Sequence, residues 1–169
     1  MIADPLIPVA SSGHRTYRGD AAGALRRSLE ELYARGFRTF LCGMAVGFDL
    51  AAAEAVLELR GRRPDVRLVA AVPFRGQEAR FPQADRERFG RVLAAADAVE
   101  VLSPVYHRGC YAVRNDFLVD HARVLVAWYD GSPGGTRYTV RRALGRGLEV
   151  VNLCPAAPVP PAPEPTLFG

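Results

Sequence analysis

Six short apolar runs punctuate this chain: Leu6 to Ala10, Phe37 to Cys42, Val66 to Val72, Ala98 to Leu102, Val124 to Trp128 and Leu148 to Leu153. Between them apolar residues return at helical spacing, with Leu25, Leu29, Leu32 and Tyr33 in the first interval and Leu50, Ala53, Val56 and Leu57 in the next. Runs short enough for strands, separated by stretches long enough for amphipathic helices, form a β-α-β-α series. Such a series leaves few topologies open, because parallel strands need crossovers that return over a sheet face, and those crossovers are right-handed. The fold class is α/β, a mostly parallel sheet of about six strands with helices on both faces.

The third connection opens on a turn, Pro73-Phe74-Arg75-Gly76-Gln77, and continues through Phe81, Phe89, Val92 and Leu93 as a helix. The fourth, Ser103 to Asp120, crowds polar groups: Tyr106 and Tyr111 precede Arg114-Asn115-Asp116, which stands ahead of an apolar helix face of Phe117, Leu118 and His121. No repeat or linker divides the chain, so residues 1–154 form one domain. Residues 155–169, with prolines at 155, 158, 160, 161, 163 and 165, exclude helix and central strand and are expected to be an extended, disordered tail, with docking of its Leu167-Phe168 end on a partner as the lesser alternative.

At 169 residues the chain can bury one substantial core. No apolar stretch spans a bilayer, and the start, Met1 to Pro5, lacks the basic region of a secretion signal, so the expected location is cytoplasmic with no membrane partner. The net charge of +4 is weak evidence for nucleic acid, since all 22 basic residues are arginine and many alternate with carboxylates, as in Arg86-Glu87-Arg88. Cys42, Cys110 and Cys154 have no paired spacing and His14, His107 and His121 are scattered, so neither a metal site nor a disulfide framework is indicated. No cofactor is identified, and a homo-oligomer is left open.

Three glycine turns carry the functional reading. Phe37 to Cys42 breaks into Gly43-Met44-Ala45-Val46-Gly47-Phe48-Asp49 and then into an alanine-rich helix. That order gathers free backbone N–H groups and a positive helix end at one spot, where a phosphate or polar sugar docks, although glycine also serves simply to turn a strand into a helix. Ser11-Ser12-Gly13-His14-Arg15 repeats the arrangement after the first strand, and Asp130 with Gly131-Ser132-Pro133-Gly134-Gly135-Thr136 repeats it after the fifth. On one parallel sheet all three lie at the carboxyl ends of strands, where open α/β folds bind ligands.

The candidate binding residues follow: Ser12, Gly13, Arg15, Gly43, Gly47, Asp49, Arg114, Asn115, Asp130, Gly134, Gly135 and Thr136. Glycines supply backbone donors, and the Arg15 fork suits an oxyanion. Asp49 either caps its helix or bonds a ribose hydroxyl, and Thr136 is an N-cap, a phosphate ligand or both. Arg114-Asn115, beside Tyr106 and Tyr111, suits a base or ribose, with helix capping as the alternative for the Asn-Asp pair. Glu54 and Asp49 are the weak catalytic candidates, with a surface ion pair as the other reading of Glu54. His14, with no carboxylate partner visible along the chain, reads as a loop residue. A P-loop is excluded by the absence of lysine, and Gly43-x3-Gly47 does not match G-x-G-x-x-G.

Together these residues resemble the SLOG superfamily, which includes the DNA-processing protein DprA (Smf) and the LOG proteins. The Gly43-to-Asp49 turn is similar to the S-G-x-A-x-G-I-D turn of DprA, Arg114-Asn115 to its R-N pair, and Val124 to Thr136 with Ala143 to Gly147 to its final strand, glycine turn and helix. The likeness is greater to the YpsA-like branch, through Gly13-x-Arg15, Pro73-Phe74 and Tyr129-Asp130, and covers Val9 to Leu153. It implies a Rossmann-like fold and a pocket for nucleotides or nucleotide-derived molecules. Pro133-Gly134-Gly135-Thr136 departs from the P-G-G-x-G-T-x-x-E of LOG-type phosphoribohydrolases and has no glutamate after it. The expected function is cytoplasmic binding or sensing of a nucleotide-like ligand. The alternatives are an N-glycosidic hydrolase acting on a nucleotide and a DprA-like binder of single-stranded nucleic acid. Gly47→Val is expected from sequence to abolish ligand binding while leaving a folded protein, and Asp49→Asn to weaken a ribose contact with little loss of fold.

Overall fold

The computed structural model describes residues 6–155. The strands are β1 (Val9–Gly13), β2 (Thr39–Cys42), β3 (Arg67–Val72), β4 (Ala98–Val101), β5 (Val124–Trp128) and β6 (Glu149–Asn152). The helices are α1 (Ala22–Ala34), α2 (Phe48–Arg62), α3 (Gln83–Ala95), α4 (Cys110–Asp120) and α5 (Gly135–Gly145), with a 3-10 turn at Gln77–Arg80 before α3. All five strand pairings are parallel, in the order β4-β3-β2-β1-β5-β6. The expected α/β, Rossmann-like class is the one observed.

Two cores flank the sheet. Leu25, Leu29 and Leu32 of α1 pack with Ala53 and Val56 of α2 and Phe89 and Val92 of α3 on one face. Leu118 and Val119 of α4 and Val140 and Ala143 of α5 fill the other. The chain thus winds one way from β1 to β4, then crosses to the far side of β1 for β5 and β6. At that reversal the loops after β1 and β5 turn to opposite faces of the sheet and a crevice opens between them.

The first strand is displaced from the expected Leu6 to Ala10, and Leu6 is 82% exposed. β1 is central, paired on both sides, with Val9 opposite Phe40 and Val124 and Gly13 opposite Trp128. Pro8 has no N–H to donate to such a ladder, so the strand starts after it. It then runs through Ser11, Ser12 and Gly13, which read as a turn in sequence. Ser11 is accommodated by donating to the Leu41 carbonyl at 3.5 Å and contacting the Cys42 sulfur at 3.3 Å. A β-carbon on Gly13 would lie 2.4 Å from Cβ of Phe48, so glycine lets α2 seat against the end of β1.

The expected domain start at residue 1 and most of the 155–169 tail lie outside the described residues. Among the described residues no helix is long and apolar enough to cross a membrane.

Candidate ligand site

At the reversal point lies a cleft of about 500 Å³, within the usual range for small-ligand sites. Ser12 and Gly13 of β1, the following His14 and Arg15, Asp49 of α2, Arg114 and Asn115 of α4, Asp130 after β5, and Gly135 and Thr136 at the start of α5 all line it. Three turns far apart in sequence thus meet at one rim.

The floor holds two buried side chains of opposite charge, Asp49 and Arg114, that attract each other without a direct ion pair. Asp49 sits in the first turn of α2, 4% exposed, and its carboxylate accepts from the Gly13 N–H at 3.2 Å and the Ala45 N–H at 3.3 Å. Burial pushes its pKa above the ordinary carboxylate value, opposed by the nearby Arg114 cation and those two N–H groups. Asp49 therefore ties the end of β1 to the turn after β2. Both of its oxygens are engaged, which favours the structural reading of this residue. Asp49→Asn is expected to cost about 2 kcal/mol of stability, because an amide NH2 would face one of the two backbone donors and leave it unsatisfied. Urea unfolding measures this, and it replaces the sequence expectation of little loss of fold.

Arg114 lies in the second turn of α4, 5% exposed. Its Nε donates to Asn115 Oδ1 at 2.8 Å and its Nη1 to the Gly43 carbonyl, while Nη2 makes no hydrogen bond among the described residues. Burial pulls the guanidinium below its usual pKa, opposed by Asp49. Because α4 begins at Cys110, Arg114 and Asn115 are inside the helix, and the capping alternative for the Asn-Asp pair does not hold. Asn115 uses its oxygen on Arg114, and its Nδ2 faces α5, 3.4 Å from where a Gly135 β-carbon would stand.

The rim adds further donors. Arg15 is exposed, has no carboxylate partner among the described residues, and has its guanidinium 5.9 Å from the Tyr111 ring centroid. Thr136 is buried in the first turn of α5, where the leading backbone N–H groups have no helical acceptor, and its hydroxyl makes no hydrogen bond among the described residues. Asp130 is committed to its own loop, accepting from the Ser132 N–H at 2.9 Å and hydroxyl at 2.6 Å, and these bonds hold its carboxyl below the ordinary range. Asp49 is thus occupied through both oxygens and Asp130 through Oδ1 alone, so that the uncommitted groups are mainly donors, with Asp130 Oδ2 the one carboxylate oxygen left open among the described residues of the cleft. An anion is what such a cleft accommodates.

Gly43, Gly47 and Gly134 do not line the cleft. Gly43 makes room behind it, where a β-carbon would lie 2.9 Å from Asp49 Oδ2 and 3.2 Å from Arg114 Cδ. Gly47, at φ +81°, sits under the loop after β1, with the Arg15 and His14 carbonyl oxygens 2.6 and 2.7 Å from its β-carbon position. Gly134 (φ +135°) breaks the chain into α5. Glu54 also lies elsewhere, bonded to Arg88 Nε at 3.0 Å across the α2–α3 seam, so the surface ion-pair reading holds for it.

Sequence reading missed His14. Its side chain is 11% exposed, it stacks on Tyr129 with centroids 5.7 Å apart, and its Nε2 lies 2.9 Å from Asp130 Oδ1. That approach lacks hydrogen-bond alignment. Ser132 and Pro133 also line the cleft without having been singled out as binding residues, and Tyr111, noted in sequence as an aromatic neighbour of Arg114-Asn115, lines it with them. Only the pairing of β1 with β5, which puts Gly13 opposite Trp128, brings the two loops together, and nothing local in sequence signals it.

A doubly wound parallel sheet with a donor-rich cleft at its reversal point defines a Rossmann-like domain whose cleft lies where open α/β folds bind ligands. The chain belongs to the YspA SLOG family, whose model matches residues 22–147, as the resemblance implies. It is 30% identical over 132 residues to a UPF0398 protein of Bacillus thuringiensis (strain Al Hakam), covering 76% of this chain and 71% of the relative. A UPF0398 protein of Bacillus cereus (strain AH187) matches to the same extent. Among solved structures it resembles DNA processing protein A (DprA) of Streptococcus pneumoniae, with TM-score 0.62 at 20% identity over 85% of this chain and 48% of that one. It also resembles DNA processing protein A of Helicobacter pylori, described for its single-stranded DNA binding mode, with TM-score 0.61 at 17% identity over 86% and 65%. These likenesses show the fold, and the chain spans less than two thirds of either DNA-processing protein.

Proposed function

We propose that this is a cytoplasmic protein that binds or senses a nucleotide or nucleotide-derived ligand, with the phosphate held at the reversal point of the sheet. The observation that carries this reading is Arg114: a guanidinium 5% exposed, fixed through Nε and Nη1, whose Nη2 is left without a partner beside the cleft. The unpaired Arg15 and the first turn of α5 converge on the same space. Membership of the YspA SLOG family and the shared fold of the DNA-processing proteins support a ligand of nucleotide character.

Hydrolysis of an N-glycosidic bond is the weaker reading, because Glu54 is paired with Arg88 and both oxygens of Asp49 accept backbone N–H groups. A carboxylate so engaged is poorly placed to stabilise a cationic sugar. Incubation with the four nucleoside 5′-monophosphates is expected to raise the melting temperature with at least one of them and to release no free base by chromatography. Base release would establish the enzyme. For single-stranded nucleic acid, affinity for a labelled oligonucleotide is expected to be weak at physiological salt. Submicromolar binding that Arg114→Ala abolishes, falling steeply with added salt as counterions are released, would put the nucleic-acid reading first.

A further inference from the structure

Beside the donor-rich cleft opens a second pocket of about 570 Å³, and Arg15 and Tyr111 line both. Its remaining walls come from the loop after β3 and the loop before α4, which the sheet brings together because β3 and β4 are paired. Phe74 meets Tyr106 edge to face with centroids 5.5 Å apart, and meets Tyr111 the same way at 5.9 Å. Rings that touch by their edges do not stack on one another, and Tyr106 is 62% exposed. An aromatic surface is therefore available next to the phosphate-directed donors.

Gln77 makes this pocket more than an apolar hollow. It lines the pocket at 4% exposure, and its Oε1 and Nε2 are both buried without a hydrogen bond among the described residues. Burying a carboxamide unpartnered is unfavourable, and leucine or methionine would fill the same volume without that cost. A planar group presenting one acceptor and two donors complements the edge of a heterocyclic base, which offers both kinds of group. Recognition of an unstacked base commonly combines an aromatic face with hydrogen bonds to the base edge.

Resting on the nucleotide reading above, we propose that this pocket receives the heterocyclic base of the ligand whose phosphate occupies the first cleft. The base lies against Tyr106 and Phe74, and the Gln77 carboxamide, whose polar atoms are buried in the free protein, turns toward the pocket to meet its polar edge. Tyr111 stands at the junction, its ring centroid 5.9 Å from the guanidinium carbons of both Arg15 and Arg114, so the sugar crosses between the two pockets there. An apolar occupant would leave the Gln77 amide unsatisfied, whereas a base satisfies it.

The test is calorimetric titration of the whole protein with nucleoside 5′-monophosphates and with ribose 5-phosphate, which carries the phosphate and sugar but no base. The parent is expected to bind at least one monophosphate about tenfold more tightly than ribose 5-phosphate, the scale of a single aromatic–base stack. Tyr106→Ala should remove most of that advantage and leave ribose 5-phosphate binding as it was. Gln77→Leu should melt above the parent without ligand and lose the parent's preference among bases. Should Gln77→Leu fail to fold, Tyr106→Ala, at an exposed position, decides the matter alone. Equal binding of monophosphate and ribose 5-phosphate by the parent, or an advantage undiminished in Tyr106→Ala, overturns the base pocket and leaves the phosphate cleft standing. If no compound binds, the phosphate reading itself fails and this inference falls with it.

Discussion

Gly47→Val is expected to unfold the protein, or at least to lower its stability by more than about 4 kcal/mol, the range reached when backbone strain and steric overlap coincide. Gly47 holds φ +81° and ψ −123°, a conformation that a β-branched residue does not adopt without strain. Its β-carbon would also stand 2.6 Å from the Arg15 carbonyl oxygen and 2.7 Å from Arg15 Cα. Those are backbone atoms, which cannot rotate away as a side chain would. The Phe48 N–H donates to the His14 carbonyl at 3.3 Å beside them, so the loop after β1 and the start of α2 are fastened together at this point. Circular dichroism melting of Gly47→Val therefore reads a loss of fold, and any loss of binding follows from it. The sequence alone suggests the opposite division, in which glycine makes way for the ligand; the structure shows that it makes way for the chain's own loop.

Arg114→Met should produce the second largest effect, a destabilisation of about 3 kcal/mol at pH 7, because removing one of two mutually attracting buried charges leaves the other without its counter-charge. Asp49 would lose the cation that most opposes its desolvation, and the Gly43 carbonyl and Asn115 would lose their donor. The pH dependence has a definite sign. Burial already raises the folded-state pKa of Asp49, and Arg114→Met raises it further, while the unfolded value stays near about 3.9. A carboxyl with a raised folded pKa binds more protons folded than unfolded, so stability falls as pH climbs from the unfolded value through the folded one. The deficit of Arg114→Met relative to the parent should be full at neutrality and smaller near pH 4, where only the lost bonds to the Gly43 carbonyl and Asn115 remain. Urea titrations at the two pH values measure it, and a deficit independent of pH would mean that Asp49 is not the group left unpaired.

The α/β order was legible because buried parallel strands are written as near-continuous apolar runs, and Val124 to Trp128 is both such a run and the observed β5. β1 was misplaced because its carboxyl half is Ser11, Ser12 and Gly13. Small residues there read as a loop, yet in the fold they admit Phe48 and Asp49 against the middle of the sheet. Much of the site was legible for the same reason that it exists: Ser12, Arg15, Asp49, Arg114 and Thr136 stand at or just after the carboxyl end of a strand, lie in the first two turns of a helix, or both, and a parallel sheet gathers such positions at one edge. What depended on strand order was not legible. The approach of His14 to Asp130 requires β1 to lie beside β5, and the meeting of Phe74 with Tyr106 requires β3 beside β4. The chain's two asparagines show the same limit. Asn115 lines the cleft, whereas Asn152 braces β6 against β5 by accepting from the Tyr129 N–H at 3.0 Å and donating to its carbonyl at 2.9 Å.

The most direct test of the central claim is a calorimetric comparison of a nucleoside 5′-monophosphate with its unphosphorylated nucleoside on the parent protein and on Arg15→Ala. Arg15 is exposed and has no ion-pair partner among the described residues, so its removal should leave the fold intact. A cleft that holds phosphate predicts that the monophosphate binds while the nucleoside binds far more weakly. It also predicts that Arg15→Ala loses about tenfold in monophosphate affinity, the worth of one charge-assisted hydrogen bond. A nucleoside that binds the parent as tightly as its monophosphate, with Arg15→Ala indistinguishable from the parent, would contradict the account.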